Sequence, residues 1–427
     1  MQNTLSRRSF LKTSAQVTLA AGSVGATGSI LTACGGSAPA SNAKATISFW
    51  HTYNITSPEN KTLVEKVIPA FHKQYPNITV KSQDIPYNSM LQKLIASVAG
   101  GSGPDVVRSD IIWMPQLAKI RALVQMDDII AQRKNEFYDG PLATCTYKGH
   151  YYGLPLDTNT KVLIYNKDVM ARAGLSMVPT TTDDFKQACL KITALGNNTF
   201  GYAEGGTYDW ATLPWVWSFG GAITDDKFTK ASGYINSPNS VASLQYLIDL
   251  YHTKALSPGI LGGSNLAPAD AIGKGKAGFI IDGPWMVPVF QQSYPTMKFD
   301  LATMPAGPNG QTASVIGGED IAIMSSSKNV DAAKTFTQYM TSADAQKMMG
   351  TTGQMPVLKS LANDSTLPAY FKIYNEQLKT ARPRTVSPNY PKISTTLGDA
   401  FDKAFRDKAT PQAALDAAAQ QIDQLLQ

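Results

Sequence analysis

The chain has 427 residues, of which 16 % are charged and 9 % aromatic, and its formal charge is +6. That length is long for one core and comfortable for two α/β lobes, and the composition excludes a disordered or fibrous chain. No dense Lys/Arg stripe is present to follow a phosphate backbone, which argues against a nucleic-acid partner.

Residues 1–33 read as an export signal. "SRRSFLK", residues 6–12, has a twin-arginine pattern, and the small, weakly apolar stretch after it is too poor in strongly apolar residues for a spanning helix. Without Arg7, Arg8 and Lys12 the formal charge falls from +6 to +3. "LTAC", ending at Cys34 and followed by Gly35 and Gly36, resembles the lipobox of bacterial lipoproteins. The resemblance implies cleavage before Cys34 and lipidation of its thiol, and several acyl chains on one residue give lasting membrane attachment. Residues 34–43, small and polar, read as a flexible linker. The expected location is the outer face of the cell membrane, extracellular or periplasmic. Cys145 and Cys189 remain, and spacing alone does not decide whether they pair.

The folded part opens with a short strand at "ATISFWH", where Ile47 and Phe49 alternate with polar residues. Leu63, Val64, Val67, Ile68 and Phe71 then mark one face of a helix that stops at Tyr75-Pro76. "NITV" returns to strand, and Met90, Leu91, Leu94, Ile95 and Val98 line a second helix before the strand "DVV". Strands alternating with helices of this length predict parallel sheet covered by helices. "YKGHYYG" reads as a hairpin, "KVLIYN" as a strand, and "PTTTDDFKQACLKITAL" as a helix capped by threonine with Asp183 and Asp184 in its first turn. Val241 to Tyr251, "VDAAKTFTQYMTSADAQKMM" and the closing "PQAALDAAAQQIDQLL" are further helices.

Catalytic signatures are missing. The chain has no G-x-S-x-G elbow, Walker A loop or H-E-x-x-H helix. "AGGSGPD" follows a helix rather than opening one, so it lacks the context to cradle phosphate. Histidines 51, 72, 150 and 252 show no metal spacing and the cysteines form no CxxC. Neither catalysis nor a metal nor a cofactor is expected.

From about residue 44 onward the chain resembles the extracellular solute-binding proteins of family 1, the maltose-binding-protein-like receptors of ABC importers. "GGSGPDVVRSD", "GHYYGLPLDTNTKVLIYNKDVMARAGL", "GKAGFIIDGPW" and "GGEDIAIMSSSKNVDAAKTFTQYMTSADAQKMMGTTGQMP" occur in the family's order. The resemblance implies an α/β, periplasmic-binding-protein-like type II fold: two α/β lobes joined by a multi-segment hinge, closing on ligand in the cleft. Hinges are expected near 157–158, 319–320 and 355–356. Lobe one would be 44–157 plus 320–355, and lobe two 158–319 plus 356–427.

The resemblance also implies cleft residues. Trp285, after Gly283-Pro284, would stack on a sugar ring, whose C–H face buries well on a flat, rigid aromatic. Asp110, Asp157 and Asn159 fall where members present carboxylates or amides to hydroxyls. Tyr208, Asp209 and Trp210 align with a ligand-contacting loop, whereas Trp215 and Trp217 read as core. Gly318 and Glu319 sit on the second hinge. Many members have an aromatic at the position of Glu319, so Glu319 and Asp320 are expected to act as hydroxyl acceptors. His51, Glu59 and Arg382 are further candidates. Leu397 stands where members with long sugar ligands carry an aromatic, which points to a smaller or differently placed sugar.

The function implied is capture of a mono- or oligosaccharide and its delivery to ABC permease subunits by a lipid-anchored monomer. A glycerol-3-phosphate or phosphodiester receptor of the same fold is the alternative, with Arg108, Arg382 and Arg384 as the only nominees for its basic residues. An exported carbohydrate-active enzyme or a surface adhesin are more distant rivals.

Overall fold

A computed structural model describes residues 44–264 and 266–427. The expected export signal, Cys34 and the linker lie outside the described residues. The first three strands, β1 (Ala45–His51), β2 (Ile78–Asp84) and β3 (Val106–Asp110), are parallel neighbours joined by helices. A small hairpin follows, β4 (Thr146–Tyr147) with β5 (His150–Tyr151). The chain then crosses between lobes through β6 (Leu154–Thr160) into β7 (Val162–Asn166). With β8 (Phe200–Tyr202), β9 (Ala277–Asp282) and β10 (Phe299–Ala302), β7 builds a second sheet in the order β10-β7-β9-β8. The long β11 (Ser314–Ile323) crosses back, and a short β12 (Ala381–Arg382) lies beside its start. The first sheet runs β12-β11-β3-β1-β2, with β6 on the other side of β11.

Parallel pairing holds for β1 to β3 and for β8 beside β9, but the sheets are mixed. β11 is antiparallel to both β3 and β6, and β7 is antiparallel to β9 and β10. The reason is the hinge: a strand entering a lobe from the cleft must run against strands heading towards it.

Each sheet is covered on both faces. In lobe one, Ile47, Phe49, Phe71 and Phe336 pack on one side and Met90, Leu94, Val107 and Met114 on the other. In lobe two, Phe185, Trp215, Tyr202 and Phe279 form one layer and Ile164, Ile280, Phe290 and Tyr374 the second. Trp215 and Trp217 are core, as read from the sequence. Leu397 is likewise a buried core residue. Val357, Leu358 and Leu361 pack with lobe one, so that lobe draws on chain beyond residue 355, whereas Met355 packs with lobe two.

Local details follow side-chain chemistry. Thr181 caps helix Thr182–Thr193 by accepting from the Asp184 N–H at 3.1 Å, with Asp183 and Asp184 in the first turn as predicted. The first helix differs from expectation: residues Leu63–Val67 form a π-helical turn inside it. That turn shifts the side-chain phase, so Leu63, Val67, Ile68 and Phe71 are buried while Val64 faces solvent. Cys145 and Cys189 are buried free thiols, packed in different lobes.

Candidate functional site

The C-terminal ends of parallel strands are where a two-lobed α/β protein offers side chains to its cleft. β1 ends at His51, followed by Tyr53 and Glu59; Tyr87 opens the helix after β2; Asp110 ends β3. From lobe two come Asp282 at the end of β9, Trp285 beyond the Gly283-Pro284 turn, and Tyr208, Asp209 and Trp210 at the start of helix Asp209–Ser218. The two indoles, Trp210 and Trp285, face one another at 6.3 Å between centroids with planes 26° apart. Both positions depend on a missing side chain. A Cβ at Gly317 would collide with Trp210 and the Asn159 amide, and a Cβ at Gly283 would collide with the Trp285 ring.

Three buried cations organise the charge. Arg108 on β3 makes an ion pair with Glu319 at 2.8 Å and approaches Asp157 at 3.5 Å. Its Nη1 donates to Thr52 at 2.7 Å, the Nη2 that faces the carboxylates also donates to Gln354 at 3.1 Å, and the guanidinium covers the Tyr53 ring at 4.2 Å. Arg384 pairs with Asp110 at 3.3 Å, lies 4.0 Å from Asp209 and covers the Trp210 ring at 5.3 Å. Lys161 reaches Glu204 at 3.4 Å and the Trp210 carbonyl at 3.2 Å. Asp110 also accepts from the Tyr87 hydroxyl at 2.7 Å, and Asp209 from Tyr390 at 2.6 Å and Ser394 at 2.8 Å.

Other buried polar atoms are left over. Both ring nitrogens of His51, the Glu59 Oε2, the Asp157 Oδ1, the Asn159 Oδ1 and the hydroxyls of Tyr370 and Tyr374 have no hydrogen-bond partner among the described residues. Buried polar groups without partners are rare in folded proteins, so a concentration of them is what a site closed around an external ligand shows. Burial and then the Arg108 charge push His51 down to about 3, so its imidazole is neutral. Burial raises Glu59, Asp157 and Glu319, against the lowering effect of Arg108 in each case. Asp282 is raised to about 6 by burial.

Residues 55–347, well over half of the chain, match the bacterial extracellular solute-binding proteins. The chain belongs to that family. A galactooligosaccharide-binding protein of Bacillus subtilis is 26 % identical over 410 residues, covering 91 % of this chain and 92 % of the relative. An ABC-transporter solute-binding protein of Thermotoga lettingae, solved with α-D-tagatose, superposes with a TM-score of 0.82 at 27 % identity, covering 90 % of this chain and 100 % of that one. UgpB of Mycobacterium tuberculosis, solved with glycerophosphocholine, shares the fold with a TM-score of 0.78 at 20 % identity, covering 89 % of this chain and 98 % of that one. Such proteins have two lobes of the maltose-binding-protein type, and the family is one of binding proteins rather than enzymes.

In this solute-binding protein the structure brings most of the expected residues together. His51, Glu59, Asp110, Asp157, Asn159 and Asp209 are buried at the cleft, Trp210, Trp285 and Glu319 are half-buried there, and Tyr208 stands exposed at its rim. Gly318 lies in the hinge at φ +142°, where a Cβ would strike the backbone of Asp157. Two expectations change. Arg382 is exposed on β12, and Arg384, two residues on, is the arginine inside the cleft. Asp320 is no hydroxyl acceptor for a ligand: the bulge between Glu319 and Asp320 turns it beneath the hinge, where Thr144 contacts it at 3.0 Å. Tyr53, Tyr87, Lys161, Glu204, Gln354 and Tyr370 carry no sequence signal of their own. Only the alternation of Asp157 and Asn159 on one face of β6 hinted at which neighbours would meet.

A cavity of 1090 Å³ lies on the other face of the hinge, lined by Thr158, Ile316 and Met355 between Pro141 of lobe one and Phe371 of lobe two. Thr158 alternates with Asp157 and Asn159, so cleft and cavity occupy opposite faces of one ribbon.

Proposed function

We propose that this protein is the substrate-binding subunit of an ABC importer, capturing a mono- or oligosaccharide between its lobes and passing it to the permease. The observation that carries the reading is the facing pair Trp210 and Trp285 beside carboxylates whose oxygens lack partners. A pyranose has an apolar face for an indole and an equatorial set of hydroxyls for planar acceptors such as Asp157, Asn159 and Glu59. Asp110, Asp209, Glu319 and the hinge backbone at Gly318 complete the polar lining, with Tyr208 at the entrance and His51 as a neutral donor–acceptor. Binding the closed form better than the open one shifts the population of closed lobes, which is the shape a permease would read. The full assignment has the mature chain exported by the twin-arginine route, held by lipid on Cys34, monomeric, and returning its ligand unchanged.

The phosphodiester alternative has a specific obstacle. Arg108 and Arg384, the cations it would need, each already face two carboxylates. A phosphate would have to displace those partners and sit among the remaining anions.

Calorimetric titration of the full-length protein in detergent against a sugar panel, glycerol-3-phosphate and glycerophosphocholine tests the reading. Binding of a sugar at micromolar or tighter Kd, lost in Trp285→Ala with the sugar recovered intact, is the expected result. Binding of a phosphorylated compound alone, unaffected by Trp285→Ala, would overturn it in favour of the alternative. A cleaved sugar would make the protein an enzyme.

A further inference from the structure

Lys161 places a charge where charge is unfavourable. It is the first residue after the crossing strand β6 and is 1 % exposed. Lysine is almost never fully buried unless paired, and its pair with Glu204 does not explain why it is there. Replacing a buried ion pair by apolar side chains is often neutral or stabilising. The contacts of the ammonium show another use.

Lys161 Nζ donates to the Trp210 carbonyl at 3.2 Å and lies 5.9 Å from the centre of the Trp210 ring, with Glu204 Oε2 at 3.4 Å. Trp210 is the second residue of helix Asp209–Ser218. In an α-helix its carbonyl would accept from the N–H four residues on. Residue 214 is a proline inside that helix, which has no N–H and whose ring crowds that same carbonyl. Pro214 thus removes the helical partner of Trp210, and Lys161 supplies one from outside the helix. The Trp210 indole meets Trp285 at 6.3 Å and Arg384 at 5.3 Å, and it occupies the room that the missing side chain of Gly317 leaves. The main chain of Lys161 is tied as well: its carbonyl accepts from the Ser314 hydroxyl at 2.8 Å, at the start of β11. One residue therefore joins both crossing strands to the aromatic wall.

We propose that Lys161 is a positioning residue for the sugar-binding wall: Pro214 frees the Trp210 carbonyl, and the Lys161 ammonium takes it and so sets how that indole stands against Trp285. The inference rests on the saccharide reading only in taking Trp210 as part of the wall that a sugar meets. Lys161 acts through Trp210 and not on the sugar itself.

The test separates holding the fold from holding the indole. Lys161→Met together with Glu204→Gln removes both charges of the pair, strands no carboxylate, and leaves the Trp210 carbonyl without its donor. Adding Pro214→Ala returns an N–H to that carbonyl along the helix axis. The full-length proteins are labelled with 5-fluorotryptophan, and the Trp210 fluorine line is assigned by its loss in Trp210→Phe. Each is unfolded in urea and titrated with glucose, galactose, maltose and lactose. Expected in the double variant are a displaced Trp210 line, a lower urea midpoint from the stranded carbonyl, and affinity at least about ten-fold weaker for the sugar that the natural protein binds best. Adding Pro214→Ala should bring the urea midpoint back towards the natural value, while the Trp210 line stays displaced and affinity stays low. An unmoved Trp210 line in the double variant would overturn the inference, whatever the sugars do. Recovery of line and affinity together with the midpoint in the triple variant would overturn it too, since Lys161 would then serve the fold alone. Failure of the natural protein to bind any of the four sugars would count against the saccharide reading, and the fluorine line would still decide this one.

Discussion

Arg384 and Asp110 reach one another across the cleft, 3.3 Å apart, from chain segments that belong to different lobes. Asp110 is held from the lobe-one side by the Tyr87 hydroxyl and the Ile112 N–H, and Arg384 rests on Trp210 in lobe two. The pair is therefore expected to act as a latch on the closed lobes.

Replacing Arg384 by methionine should open the latch. A sealed cleft would then hold Asp110 and Asp209 without a cation, at a cost of about 3–5 kcal/mol for a buried pair broken on one side. Opening the lobes rehydrates both carboxylates and avoids most of that cost. Arg384→Met should therefore show a larger radius of gyration by small-angle X-ray scattering without ligand, faster ligand release, and a modest loss of stability. An unchanged radius with full loss of stability would show that the cleft is not free to open there.

Arg108 behaves differently because both its carboxylate partners sit on the hinge itself. Arg108→Met strands Asp157 and Glu319 in a place that opening relieves poorly, and a loss of about 3 kcal/mol is expected near neutral pH. The stranded carboxylates regain protons as pH falls, so the folded variant binds more protons than its unfolded chain and the deficit shrinks towards acid. Urea unfolding of both proteins at about pH 5 and about pH 8 checks this; a deficit that is constant with pH would contradict it.

Asp320 gives a pH dependence of its own. Burial raises its carboxyl to about 8, and the single hydroxyl hydrogen of Thr144 is drawn to the Pro141 carbonyl at 2.6 Å, so a proton on Asp320 completes the second contact. The unfolded chain releases that proton near pH 4. Stability from this group is complete below that value and is lost as pH rises through about 8. Between about pH 5 and about pH 9 the natural protein should lose roughly 4 kcal/mol more than Asp320→Asn, in which an amide replaces the neutral acid. Equal slopes would mean that Asp320 is ionised in the fold.

Gly317→Ala should damage binding more than folding. The added methyl meets the Trp210 ring and the Asn159 amide, both cleft groups, and moving them costs about 1–2 kcal/mol of stability. Ligand affinity should fall by about ten-fold or more, because the indole and the amide are displaced together. Gly100→Ala, whose Cβ would meet only Ser102 at 3.6 Å, serves as the control and should bind normally.

Much of the fold was legible in the chain, and what was not legible has a pattern. The alternating strands and helices, the Thr181 cap and the turn before Trp285 are local signals, and the structure contains all three. The choice of Arg384 over Arg382 was not legible, since both occupy the same "ARPR" stretch. It is decided by which way each side chain leaves the segment beside β11. Glu319 and Asp320 are likewise adjacent acids, and a β-bulge sends one to the cleft and the other beneath the hinge.

The sequence by itself determined the class of the molecule: periodicity sets helices and strands, their alternation sets α/β lobes, and the order of four motifs sets the family. Tertiary structure alone decided the charge pattern of the cleft. Arg108, Asp157, Glu319 and Gln354 are scattered over the chain yet share one buried cluster. Electrostatic interaction depends on distance and burial rather than on sequence separation. Partners that meet only when three crossing segments lie side by side leave no periodic trace in the chain that carries them.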